Sequence, residues 1–166
     1  MTKYPARAVV ERLWKAYSDS RYAPHRVVVL VGAPDAIDEV ARGLLLKEMA
    51  EFKTGKFFLI GHTGMRIYSP KRLIDDLVHQ RMVMLHRFDE HSAHVANLQL
   101  YLEAPTYACH EFVKTRMNNS HDTAQSTLSS TATDQGEPIP GFCVLTCSSI
   151  ADDVVKLSTV DCIHVV

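Results

Sequence analysis

The residues with chemical capacity fall into a few short groups. Gly32 is followed by three carboxylates, Asp35, Asp38 and Glu39. A second group, His86-Arg87-Phe88-Asp89-Glu90, follows an apolar run, and His91 and His94 come directly after it. The first group sits where an apolar β-branched run (RVVVLV) turns through Gly-Ala-Pro into a helical pattern. Strand, glycine turn and helix is the layout of a phosphate-binding loop, which would read GxxxxGK[ST] and cradle anions on backbone N–H groups and a lysine. Here the lysine and the second glycine are absent. Acids near the positive end of a helix satisfy its dipole themselves and repel phosphate. The expectation is a nucleotide-binding architecture that holds no nucleotide and needs no cofactor.

The second group is where a P-loop ATPase would keep acids for magnesium and water. Asp89 and Glu90 stand near that place, but His86-Arg87-Phe88 intervenes, and ATP hydrolysis is not expected. Their plainer reading is two solvated acids capping a following helix. His86, His91 and His94 could in principle gather zinc. Their spacing matches no strong ligand motif, so a surface histidine cluster is expected and no metal is assigned. There is no GxSxG elbow, and the adjacency of Cys109 and His110 says nothing about a dyad in space. Cys143 and Cys147 share one strand at a span of roughly 13 Å, too far to bridge. For the cysteines, buried free thiols and one long-range bridge involving Cys109 or Cys162 both stay open.

The elements that must position these groups are legible from periodicity. Val9, Val10, Leu13, Trp14 and Tyr17 repeat at helical spacing over 6–18. Strands are expected at 26–31, 56–60, 81–85, 141–147 and 162–166. Helices are expected after Asp35 as cap, after the Ser69-Pro70 start, over 91–104, over 109–117 and over 152–157. The helix after Asp35 would bury Ile37, Val40, Ala41, Leu44, Leu45 and Met49. Alternation of strand and helix predicts an α/β fold with a mostly parallel sheet flanked by helices, AAA+/P-loop-like without nucleotide-binding motifs. The 166 residues form one domain, with a flexible Ser/Thr-rich loop at about 118–140. That loop opens on Asn118-Asn119-Ser120, an N-x-S glycosylation acceptor.

With 18 basic and 19 acidic residues the net charge is −1, and no basic stripe marks a nucleic-acid partner. No apolar run reaches the roughly 18 residues that span a bilayer, and the N-terminus lacks the pattern of a signal peptide. A soluble piece of a membrane protein is compatible with this.

Several stretches together resemble the lumenal domain of the torsin activators, lamina-associated polypeptide one and its ER paralogue. They are the LW-containing first helix, VVVLVGAPDAIDEVARGLL, FFLIGHTG, MVMLHRFDE, FCVLTC and CIHVV. MVMLHRFDE, an apolar strand ending in His-Arg-Phe and an acid, is the most specific. The resemblance implies an AAA+-like domain that binds no nucleotide and docks beside a torsin-type AAA+ ATPase in its ATP-bound state. It also implies residence in the endoplasmic reticulum lumen or perinuclear space, through a membrane segment outside this chain. A Cys109–Cys162 disulfide and a glycan at Asn118 would suit that setting. The family's arginine finger lies just before the last strand, which here corresponds to Lys156-Leu157-Ser158-Thr159. Thr159 stands where arginine is expected, and no arginine follows Arg116. Two other expectations stay in view: a small α/β enzyme using the histidine-rich region, with or without zinc, and a scaffold domain in another AAA+ assembly.

Overall fold

The computed structural model describes residues 3–19, 27–51, 57–60, 68–80, 82–122, 141–157 and 159–166. The apolar runs become strands because bulky residues on both faces find cover from both sides. The elements are β1 (Lys3–Tyr4), α1 (Ala6–Asp19), β2 (Val27–Gly32), α2 (Pro34–Glu51), β3 (Phe57–Ile60), α3 (Pro70–His79) and β4 (Met82–Leu85). A 3₁₀ turn (Phe88–Glu90) follows, then α4 (Ser92–Ala96), α5 (Leu98–Asp122), β5 (Phe142–Cys147), α6 (Asp152–Val155) and β6 (Val160–Val165). The strands lie in the order β1-β6-β2-β5-β4-β3, and every pairing is parallel. This is the expected α/β class, with the two-residue β1 as an addition at one edge. Its place is held by Lys3 opposite His164 and by the Val166 N–H donating to the Tyr4 carbonyl at 2.9 Å.

Period-two alternation splits the core into two layers. Val28, Leu30, Met82, Met84 and Val144 face α1 and α2. Val27, Val29, Val83, Leu85, Cys143 and Leu145 face α3 and α5. Each Leu or Val buried this way contributes roughly 1.5–3 kcal/mol relative to exposure. The helix after β2 therefore covers one face, while the helices after β4 and β5 cover the other. Such a reversal opens a crevice at the carboxyl ends of the strands, which in open α/β sheets is where ligands bind.

Two glycines permit close approach. A Cβ on Gly32 would stand 2.5 Å from the Val165 carbonyl oxygen, its partner in the β2–β6 register. A Cβ on Gly43 would stand 2.7 Å from Cγ2 of Val10, where α1 crosses α2.

The α3 start is as expected: the Ser69 hydroxyl accepts from the Arg72 N–H at 3.2 Å, and Pro70 opens the helix. Elsewhere the structure corrects the local reading. Helix α2 starts at Pro34, and the Ala33 carbonyl accepts from Ala36 and Ile37, so Asp35 lies inside the first turn and caps nothing. Leu45 and Met49, expected in its apolar face, are 42% and 54% exposed. The two helices expected at 91–104 and 109–117 are instead a short α4 and a 25-residue α5 that carries Pro105 in its interior. Helix α5 continues through 118–122, so the segment expected as loop begins helical and Asn118 lies on that helix. Residues 123–140 lie outside the described residues.

Candidate functional site

At the carboxyl edge, three distant elements meet in one polar cluster. Helix α2 supplies Asp38, the end of β4 supplies His86 and Arg87, and β5 supplies Thr146. His86 and Thr146 continue the alternation of Met84 and Val144, so both point toward the α2 layer. His86 is 6% exposed and Thr146 fully buried. The His86 Nε2 stands 2.7 Å from Asp38 Oδ1, and its Nδ1 stands 2.9 Å from the Thr146 hydroxyl. The Arg87 backbone N–H donates to that same hydroxyl oxygen at 2.6 Å.

Proton accounting selects one tautomer. Ionised Asp38 can only accept, so in the neutral ring Nε2 carries the proton and donates it to Asp38. Nδ1 then accepts from the Thr146 hydroxyl, whose oxygen in turn accepts from the Arg87 amide.

Arg87 completes the closure. Its Nε donates to Asp38 Oδ1 at 3.0 Å, a second guanidinium nitrogen reaches Oδ2 at 2.5 Å, and a third meets Glu90 Oε1 at 3.1 Å. The fork on Asp38 is the bidentate geometry in which arginine holds carboxylates most firmly. Burial opposes ionisation of Asp38, but hydrogen bonds from Arg87 and His86 and their charge outweigh it and hold the carboxyl below its ordinary value of 3.8. The bond from Asp38 raises Arg87 in turn, against some burial, with Glu90 adding to the effect. Arg87 achieves this with φ 54° and ψ 48°, the only non-glycine residue at positive φ among the described residues. Left-handed backbone on a long side chain is costly, and it persists where surrounding contacts over-determine it.

The neighbouring acids are not helix caps. Asp89 Oδ2 accepts from the Ser148 N–H at 3.0 Å and from its hydroxyl at 2.7 Å, tying the turn after β4 to the turn after β5. Glu90 is spent on Arg87. Asp35 and Glu39 are exposed and take no part. Gly32 is explained by the approach of Val165, with no phosphate role required.

The histidine cluster is not a surface feature. His94 is fully buried: its Nε2 accepts from the Tyr68 N–H at 3.2 Å, and its Nδ1–H donates to the Phe88 carbonyl at 3.3 Å. It stacks on Phe88 with ring centroids 5.2 Å apart and meets Tyr101 edge-on at 5.4 Å. The Tyr101 hydroxyl donates to the Tyr68 carbonyl. This knot fixes the 3₁₀ turn on α5 and thereby aims Arg87. His91 lies 4.9 Å from His94, centroid to centroid, but both His94 nitrogens are engaged. Among the described residues no group of three or more His, Cys, Asp and Glu side chains could hold a metal.

Asp38, His86 and Thr146 are ordered like an acid–base–hydroxyl triad, a grouping that spacing could not reveal. The hydroxyl is inaccessible and the acid is already paired with arginine, so the order alone provides no route to a substrate. None of the four cysteines is in a disulfide. The expected Cys109–Cys162 bridge is not formed: Cys109 stands on α5 and Cys162 on β6, and neither thiol is disulfide-bonded. Lys156 and Leu157 form the exposed turn after α6, Thr159 is exposed with its carbonyl accepting from the Val27 N–H, and Ser158 lies outside the described residues. Val160 opposes Val27, so this segment belongs to the amino edge of the sheet, one strand length (roughly 17–20 Å) from the Asp38 cluster.

Fold and site thus define a class: a parallel α/β domain whose carboxyl-edge crevice is filled on the α2 side by its own acid, histidine and arginine. No protein-family model, no curated protein and no solved structure matches the chain.

Proposed function

We propose that this domain is a non-catalytic regulatory partner of a torsin-type AAA+ ATPase, binding beside its nucleotide site in the ATP-bound state. The observation that carries the reading is the fork of Arg87 on Asp38. The arginine fork that would serve an incoming anion is already engaged by an internal carboxylate. A domain of nucleotide-binding layout that fills its own anion site is free to use its surface for a protein. The likeness of MVMLHRFDE and its companions to the torsin activators supplies the identity of that protein. It also supplies the setting: the endoplasmic reticulum lumen or perinuclear space, with a membrane anchor outside this chain.

An arginine placed in trans can accelerate phosphoryl transfer by about 10³–10⁵. The exposed segment at Lys156, Leu157 and Thr159 offers only a lysine, which lacks the planar fork. The domain therefore engages its partner with weak stimulation or none. The test is co-purification with a torsin carrying bound ATP, a parallel ATPase assay, and a fluorescent-ATP titration of the domain alone. The expected result is an ATP-dependent complex, little stimulation, and no nucleotide bound by the free domain. Absence of a complex in ATP, or tight ATP binding by the domain itself, overturns the reading.

A further inference from the structure

Across the sheet from Asp38, at the carboxyl ends of β2 and β5, lies a cavity of about 310 Å³. Its floor is Val29 and Leu145 from the strands, and its walls include Phe88, Leu98 and Ile150. This is the other side of the same crevice, where the helix following β2 and the helix following β5 take opposite faces. The volume falls at the lower end of small-molecule sites and is about twice that of a cavity that accepts one benzene ring.

One charge faces this apolar space. Asp89 is the single ionised side chain among the described lining residues, and its Oδ2 is held by the Ser148 N–H and hydroxyl. The second carboxylate oxygen has no partner among the described residues. Cys147, also in the lining, is no rival charge: burial, then the nearby Asp89 carboxylate, pushes its thiol up to about 12. The carboxylate is thus oriented in advance by a neighbouring turn, beside the apolar walls.

We propose that this cavity binds a small organic amine, with its ring system against Phe88, Leu98 and Ile150 and its ammonium on Asp89. An anion of the same shape is repelled by the carboxylate. A neutral analogue gains the apolar contact and forgoes the charge-assisted hydrogen bond. The site is independent of the ATPase reading, since no residue of the Asp38 cluster lines it.

The test uses 4-phenylbutylamine, 4-phenylbutanol and 4-phenylbutyrate, titrated into the isotope-labelled chain at low salt and followed by methyl chemical shifts. A ligand of this size is expected to bind at about 1 mM. The amine is expected to bind about ten-fold tighter than the alcohol, and the carboxylate more weakly than both. Shifts should concentrate on Val29, Val95, Leu98, Leu145 and Ile150. Asp89→Asn is expected to bring the amine to the level of the alcohol while leaving the alcohol unchanged. Leu98→Trp, which fills the space, is expected to abolish both. Three equal affinities, no binding by the amine, or shifts elsewhere on the wild-type chain overturn the proposal. Should Asp89→Asn fail to fold, the wild-type ranking and shift map decide alone.

Discussion

His86 Nε2 stands 2.7 Å from Asp38 Oδ1, joining residues 48 positions apart across the end of the sheet. The same carboxylate receives the Arg87 fork, so one acid closes the carboxyl edge against two donors of different kinds. Its replacement is the most direct probe of the site. Asp38→Asn is expected to lower stability by about 1–3 kcal/mol, because His86 and Arg87 lose a charged acceptor. The linkage has a definite sign. The folded-state value lies below 3.8, so the contribution of Asp38 is complete above that value and is lost as pH falls through the folded one. Urea unfolding of both chains between about pH 5 and pH 3 should show the wild-type advantage shrinking toward acid.

His94 gives a separate pH signature at milder acidity. Burial holds its imidazole below the ordinary 6.5, with the nearby His91 in the same direction and the Phe88 carbonyl opposing. The unfolded chain takes up a proton near 6.5 that the folded chain refuses. Stability is therefore full above that value and declines as pH falls from 6.5 toward the folded value. His94→Gln is expected to be less stable near neutrality and to lack this decline. Urea midpoints at about pH 7.5 and pH 5.5 distinguish the two chains.

Gly43→Ala sets helix propensity against packing. Alanine favours the helix by roughly 1 kcal/mol, but its methyl would press on Val10 at 2.7 Å. Overpacking of a buried contact costs about 1–3 kcal/mol, so net destabilisation is expected. The double variant Gly43→Ala/Val10→Ala should show a positive coupling of about 0.5–3 kcal/mol, measurable in a thermodynamic cycle.

Gly32→Ala should behave differently. Its clash is with the Val165 carbonyl oxygen at 2.5 Å, which is backbone held in the sheet. The expected cost is again about 1–3 kcal/mol, but shortening the neighbouring side chain by Val165→Ala should recover none of it. Thermal unfolding of the single and double variants settles the comparison.

Much of the layer structure can be read from residue order. Val27–Val31 is an unbroken apolar run, Phe142–Cys147 is broken only at Thr146, and Ser69-Pro70 marks a helix start at which the Ser69 hydroxyl does cap. What escapes such reading is nonlocal. The engagement of Asp38 depends on residues 48 and 49 positions away, and that of Asp89 on Ser148, 59 positions on. His94 looks like a polar surface residue until Tyr68 and Phe88 satisfy both of its nitrogens. Pro105 argues locally for two helices, because it removes an N–H, yet burial of Ala104 and Ala108 on either side keeps α5 continuous. Burial also decides Leu45 and Met49, whose spacing promised an inward face that the structure leaves exposed.

The pairing of Lys3 and Tyr4 with His164 and Val165 joins stretches more than 150 positions apart on adjacent strands. A two-residue ladder that closes so long a loop acts as a clasp on the sheet edge: it shuts last and loosens first.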